Sequence, residues 1–155
     1  MNPTRPLFIT AVLLSISLFA SAQQYKHQIG VRLGSTEQAI ASGFTYRYFI
    51  NEKSAVEGIA NLGGESFALG ALYQRFAPIS GVENLQWFYG AGAYVGFRGV
   101  DNFGLMGTAG LDYQFTELPI NLSLDWKPEL NLIESVAFRA SAVAVSVRFA
   151  FGKTK

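Results

Sequence analysis

Residues 86–99, QWFYGAGAYVGFRG, form two chemically different rows when they are read as a β-strand, in which alternate side chains point to opposite sides. One row is apolar throughout and aromatic at both ends: Trp87, Tyr89, Ala91, Ala93, Val95 and Phe97. The other row is mostly small, with its one charge near the strand end: Phe88, Gly90, Gly92, Tyr94, Gly96 and Arg98. An apolar band with aromatic borders, opposite a small or polar face, is typical of strands in a closed β-barrel that crosses a lipid bilayer.

The N-terminal residues predict an export signal. Arg5 precedes the apolar run Leu7–Phe19, and the small tripeptide Ala20-Ser21-Ala22 follows. The run is shorter than the roughly 20 apolar residues of a membrane-spanning helix, which is the alternative interpretation. We therefore expect residues 1–22 to be a cleaved signal peptide and residues 23–155 to form one domain. The chain has no cysteine, which excludes a disulfide, a thiolate metal site and lipid attachment through cysteine.

Composition indicates lipid as the main partner. Half of the residues are apolar and 15% are charged, whereas about 25% are charged in an average soluble domain. The net charge is +1 and the basic residues form no cluster, so we expect no nucleic-acid partner. We expect a monomer.

Alternation of apolar and polar residues recurs along residues 23–155, and no segment keeps a helical period. It predicts eight strands joined in order by short turns, an all-β, antiparallel up-and-down transmembrane barrel. The strands are Tyr25–Gly34, Ile40–Ile50, Ser54–Leu62, Ser66–Phe76, Gln86–Gly99, Phe103–Phe115, Pro119–Lys127 and Ala137–Phe151. The segment Pro128–Val136 is the one outer connection long enough to extend from the barrel. An exposed strand edge there could pair with a partner.

Aromatic residues mark both ends of these strands. If the N-terminus is periplasmic, the periplasmic rim carries Tyr25, Tyr48, Tyr73, Trp87, Tyr89, Tyr113, Phe115, Phe149 and Phe151. The opposite rim carries Phe44, Phe67, Phe97, Phe103 and Trp126. Two aromatic girdles are typical of membrane barrels.

Charges predict which face points inward. Those that alternate with apolar residues are Arg32, Arg47, Glu57, Arg98, Asp112, Asp125, Lys127 and Arg148. Glu57 points inward only if Val56, Gly58, Ala60 and Leu62 face outward. A soluble ligand-binding barrel with its apolar face inside is an alternative. However, the polar rows here are mainly Gly, Ala, Ser and Thr, which is too little charge to cover a soluble particle.

The pattern resembles the small eight-stranded outer-membrane barrels of Gram-negative bacteria, the OmpA transmembrane domain and OmpX type. Phe149-Ala150-Phe151 is similar to the aromatic-x-aromatic ending that the barrel-assembly machinery reads, although Gly152-Lys153-Thr154-Lys155 follows it here. The resemblance implies an integral outer-membrane protein and the assembly machinery as a partner during biogenesis.

An eight-stranded barrel has an interior just wide enough for side chains. The eight inward charges are therefore expected to pair into a network that closes the barrel. The alternative is a narrow gated channel.

Enzymatic chemistry has little support in the sequence. The one histidine, His27, is expected on the outer face near the periplasmic rim. The barrel lipid-modifying enzymes of this fold class pair serine with histidine, and no serine is expected beside His27. An Asp112 and Asp125 pair would hold a hard cation only weakly, and Gly90–Gly96 lies within a strand rather than before a helix. We therefore expect no catalytic residue, cofactor or metal, and a structural or interaction role in the cell envelope; the lipid-modifying enzyme stays an alternative.

Overall fold

A computed structural model describes residues 25–35, 40, 42–61, 67–97, 102–133, 136–140 and 143–153. The expected signal peptide and Arg98 lie outside these residues. No helix in the described ranges is long and apolar enough to cross a membrane.

Ten strands follow one another in the described ranges. They are β1 (Tyr25–Gly34), β2 (Gly43–Asn51), β3 (Ser54–Asn61), β4 (Ala68–Pro78), β5 (Leu85–Gly96), β6 (Asn102–Gln114), β7 (Ile120–Trp126), β8 (Glu129–Asn131), β9 (Ala137–Arg139) and β10 (Val143–Lys153). We call the end where β1 begins the lower end and the end where β1 finishes the upper end.

Eight of these strands close into a barrel. The hydrogen-bonded order is β5-β4-β3-β2-β1-β10-β7-β6, and β5 also pairs with β6, so the sheet has no free edge along these strands. Every pair is antiparallel. The fold class predicted from the sequence, an all-β up-and-down barrel of eight strands, is confirmed.

The upper part of the β7 wall differs from the prediction. Residues 128–136 were expected to connect two strands, but β8 continues β7 along the edge of β6 in unchanged register, from Ala109↔Trp126 to Met106↔Glu129. Pro128 cannot donate to the ladder, yet its carbonyl accepts from the Gly107 amide at 3.0 Å, so pairing resumes directly after it.

The last predicted strand, Ala137–Phe151, is divided into β9 and β10. Trp126 faces Val143 and Glu129 faces Arg139, so four residue steps on one side oppose three on the other. The pairing therefore shifts by one residue between β9 and β10.

The second predicted strand began too early. β2 starts at Gly43, and Ile40 is fully buried beneath the upper end of the barrel instead of lying in the wall. Its side chain packs with Ile59, Leu72, Tyr94 and Met106. Gly70 leaves the room for it, because a Cβ at residue 70 would lie 2.7 Å from Met106 Cε and closer still to Ile40. From the sequence, an apolar residue just before a strand is predicted to belong to that strand. Here Ile40 is instead buried inside the barrel.

Inward and outward rows alternate along every wall strand. Outward apolar side chains are widely exposed, with Leu33 at 68% and Phe149 at 53%, whereas Arg47 is fully buried. Both predicted aromatic girdles point outward where the structure describes them. The barrel therefore has an apolar outer surface and a polar core, which is the reverse of a water-soluble protein.

Candidate functional site

The barrel interior is the one place where the charged side chains of the described strands meet. Eight buried charges lie there: Arg32, Arg47, Lys127 and Arg148 are cationic, and Glu57, Asp112, Asp125 and Glu129 are anionic. Seven of them are residues that the sequence pattern assigned to the interior. The numbers of positive and negative groups are equal, so the described interior has no net charge to stabilise.

Glu57 is the centre of the network. Its carboxylate accepts hydrogen bonds from Thr45, from Arg148, from Gln74 at 2.6 Å and from Arg47 at 3.4 Å. Arg148 on β10 reaches it across the two intervening strands β1 and β2, because Gly30 stands between Arg148 and Thr45 in the register and places no side chain in the path. Four donors thus replace water around one buried carboxylate, as a buried charge requires.

Asp112 ties the opposite wall to the same centre. It accepts from Arg47 Nη1 at 2.7 Å and from Asn121 Nδ2 at 2.7 Å. Arg148 in turn donates to Ser123 Oγ at 2.6 Å. Strands β2, β3, β6, β7 and β10 are thus cross-linked through the lumen by side chains.

Arg32 and Asp125 form a separate pair nearer the upper end. The two guanidinium nitrogens lie 2.6 and 2.7 Å from the two carboxylate oxygens, which is bidentate geometry. The pair spans β10, where Ala144 and Ser146 present small side chains beneath it. Small residues in this row of β10 therefore make the bridge possible.

A third pair closes the upper part of the interior. Lys127 Nζ lies 2.8 Å from Glu129 Oε1, and both side chains are fully buried. The Ile40 amide donates to the same oxygen at 3.3 Å. Glu129 was missed from the sequence because it lies after Pro128, in the segment interpreted as a connection. The alternation Asp125, Lys127, Glu129 continues through the proline and is the signal that could have found it.

Apolar clusters lie above and below these charges. The lower cluster consists of Phe49, Ala55, Phe76 and Phe88. Arg47 lies over two of its rings, 5.1 Å from Phe76 and 5.3 Å from Phe88, so the charged layer rests directly on it. The upper cluster surrounds Ile40. Both ends of the interior are therefore packed with apolar side chains.

Uncharged polar residues complete the network and were not singled out in the sequence. Gln28, Thr45, Gln74, Asn121 and Ser123 are all buried and bind the charged groups. Their inward positions follow from alternation, so the same signal could have included them. Buried atoms without a hydrogen-bond partner in the structure are Arg32 Nε, Arg47 Nε, Gln74 Oε1 and Ser146 Oγ.

His27 lies on the outward row of β1 near the lower end. Its Nδ1 is 2.8 Å from the Tyr46 hydroxyl, and its ring lies against Tyr48 and Phe151. These contacts belong to an aromatic girdle, which is a position for an amphipathic side chain rather than for a general base. The described residues contain no group of three or more potential metal ligands.

The fold and its polarity define a class of protein. A closed barrel satisfies every backbone donor and acceptor of its wall, and an apolar outer face over a polar core suits a lipid environment. This is the architecture of a transmembrane β-barrel.

Comparison with solved structures shows a similarity in fold. The crystal structure of Neisserial surface protein A is similar over 81% of this chain and 94% of that chain, with 16% sequence identity and a TM-score of 0.48. No protein-family model matches the chain. A search of curated proteins likewise gave no match.

Proposed function

We propose that this chain is a non-enzymatic integral protein of the bacterial outer membrane, with a structural or interaction role in the cell envelope. The observation that carries the proposal is the reversed polarity of the barrel. Its outward rows are apolar with aromatic borders, and its charges are buried in pairs. A bilayer is the environment in which that distribution is stable.

The interior supports a closed barrel rather than a pore. Guanidinium and carboxylate groups from opposite walls meet in the lumen, and aromatic or aliphatic side chains fill the space below and above them. Separating a buried ion pair is strongly unfavourable. The network therefore acts as an internal brace that holds the strands in one arrangement.

Two features support export and assembly in that membrane. The N-terminal 22 residues have the composition of a signal peptide, and β10 ends with outward Phe149 and Phe151, the pattern that resembles the signal read by the assembly machinery. The partners in this proposal are membrane lipid and, during biogenesis, that machinery. The protein acts as a monomer, because its wall strands complete their pairing within one chain.

Cell fractionation of the full-length chain tests the proposal. We expect the protein in the outer-membrane fraction, with a gel band that migrates differently before and after boiling, because small barrels resist detergent until heated. A periplasmic, detergent-free band with unchanged mobility would contradict the proposal and favour a soluble barrel. The variant Val147→Arg is a matched control, since it should reduce the folded band only if its position faces lipid.

A narrow channel is the second candidate, and the polar lumen is the observation that favours it. It requires conductance across planar bilayers that rises when Asp112 is replaced by Asn, because the Arg47 anchor is then weakened. Arg98, another of the charges expected inside the barrel, lies outside the described residues. Equal, background-level currents for the wild type and Asp112→Asn would exclude the channel.

The lipid-modifying enzyme is the third candidate, and it depends on His27 alone. Replacing His27 with Ala should leave the lipid composition of the host membrane unchanged if the barrel is non-enzymatic. A change in acyl content would contradict the non-enzymatic assignment.

A further inference from the structure

Arg75 is out of place among the outward side chains of the barrel. In the described strands, the outward rows carry two charges, Arg75 on β4 and Lys153 at the end of β10. Arg75 is exposed and lies in the same row as Leu69, Ala71 and Tyr73. An outward charge is tolerated near the membrane interface and is unfavourable at the midplane, so its position at the lower rim is consistent with a polar neighbour there.

The surroundings of Arg75 are rich in hydrogen-bond donors. Across the ladder it faces Ser54 on β3 and Tyr89 on β5. The Tyr73 hydroxyl donates to Ser54 Oγ at 3.1 Å, and the Arg75 side chain lies near the same hydroxyl. Ser54 is almost fully buried beneath these side chains. Hydroxyl and guanidinium groups thus gather at one point of an otherwise apolar surface.

The turn before β3 lies beside Arg75. The Lys53 carbonyl accepts from the Phe76 amide at 2.8 Å, so the Lys53 backbone lies beside the residue that follows Arg75. Glu52 is in the same turn. Of these three charged residues, Arg75 is therefore the one that lies on the outward row of a wall strand.

The interior arginines show what Arg75 lacks. Arg32, Arg47 and Arg148 each lie within ion-pair distance of a carboxylate. Within the described part of the chain, Arg75 forms no ion pair. A guanidinium has five donors in a planar fork that matches the oxygen geometry of a phosphate.

We propose that Arg75, together with the Tyr73 hydroxyl, binds the phosphate group of an anionic phospholipid in the leaflet at the lower rim. The inference rests on the proposed membrane location, because it requires lipid headgroups at the level of the lower girdle. At that level the abundant anion is the phosphodiester of a lipid. One arginine at the surface is expected to enrich an anionic lipid about fivefold over a zwitterionic one.

The neighbouring tryptophan makes the site measurable. Trp87 is outward, pairs with Ala77 and stacks on Tyr89, so it lies diagonal to Arg75. The other tryptophan, Trp126, is at the upper rim of a different wall and can be removed as Trp126→Phe. The full barrel with this background is reconstituted in phosphatidylcholine vesicles that contain a small fraction of phosphatidylglycerol with brominated acyl chains. Quenching of Trp87 reports the local mole fraction of that lipid.

We expect Trp87 to be quenched as if brominated phosphatidylglycerol were about fivefold enriched. Arg75→Gln should return quenching to the level of random mixing, and Lys153→Gln, which changes the other outward charge, should keep the enrichment. Brominated diacylglycerol, which has the chains without the phosphate, should mix randomly. Random mixing in the wild type, or enrichment that survives Arg75→Gln, would overturn the site.

A separate arm isolates the proposed function from the lipid site. Brominated phosphatidylcholine as the bulk lipid must quench Trp87 in every folded variant if the barrel is inserted. Absence of that quenching would overturn both proposals, whereas bulk quenching without enrichment overturns the lipid site alone. Gel mobility before and after boiling verifies that Arg75→Gln folds, and Arg75→Lys should retain part of the enrichment as a point charge.

Discussion

The lumen and the outer wall of this barrel consist of alternate residues of the same strands, yet they restrict the sequence in different ways. In the lumen, each charge has named partners at fixed distances, as in the bidentate Arg32–Asp125 pair. On the outer wall, Val145, Val147 and Phe149 need only be apolar, and one could replace another with little change in contacts. The inward residues therefore determine which side chains pair, because a buried charge has few possible partners. The outward residues need only be compatible with an apolar environment.

The largest effect is expected at the centre of the lumen. Glu57→Ala leaves Arg148 and Arg47 without their shared carboxylate, and we expect the free energy of unfolding to fall by about 3–5 kcal/mol. The measurement is the urea midpoint of the folded gel band in vesicles. Val56→Ala, one residue away on the outer face, is the control and should change it far less. A Glu57→Ala loss near that of the control would show that the brace contributes little, and Glu57→Gln serves if the alanine variant does not fold.

A charge on the outer wall is the next test. Val147 lies between Val31 and Leu122 on neighbouring strands and is outward and exposed. Val147→Arg should reduce stability by about 2–4 kcal/mol in a bilayer. Val147→Ala changes the size of the side chain without its polarity and should be much milder. Equal stability of Val147→Arg and Val147→Ala would indicate that this wall does not face lipid.

The Arg32–Asp125 pair tests whether losing one charge of a buried pair destabilises the barrel more than losing both. Arg32→Met leaves Asp125 buried without its cation, whereas Arg32→Met with Asp125→Leu removes both charges. We expect the double variant to recover much of the loss, with a coupling free energy of about 1–3 kcal/mol. The coupling free energy is obtained from the unfolding midpoints of Arg32→Met, of Asp125→Leu and of the double variant. Additive effects would show that the two groups do not interact in the folded barrel.

The smallest effect is expected at the outer girdle. Tyr46→Phe removes the hydroxyl that lies 2.8 Å from His27 Nδ1 on the exposed surface. We expect a loss below about 1 kcal/mol, because lipid headgroups and water replace an exposed hydrogen bond. The same urea midpoint measures it, and Tyr48→Phe is the matched control. A loss as large as that of Glu57→Ala would remove the distinction between the two faces.

Much of the barrel could be predicted from the alternation of apolar and polar residues. The bounds of β1 were predicted without error, and Arg32, Arg47, Glu57, Asp112, Asp125, Lys127 and Arg148 were placed on inward rows because each alternates with apolar neighbours. Ile40 and Glu129 were not, since one lies outside the period of a wall strand and the other follows a proline. Alternation therefore predicts the facing of a residue only within a regular strand of the wall.

The sequence by itself determined the closed barrel, the two faces of each wall strand and the aromatic borders, because a period of two residues and the need to satisfy backbone groups depend on neighbours along the chain. Only the tertiary structure decided that Glu57 pairs with Arg148 and Arg47, that Arg32 spans β10 to reach Asp125, and that Ile40 fills the upper lumen. These contacts join strands far apart in sequence, and the register and shear of the closed barrel fix which inward side chains meet.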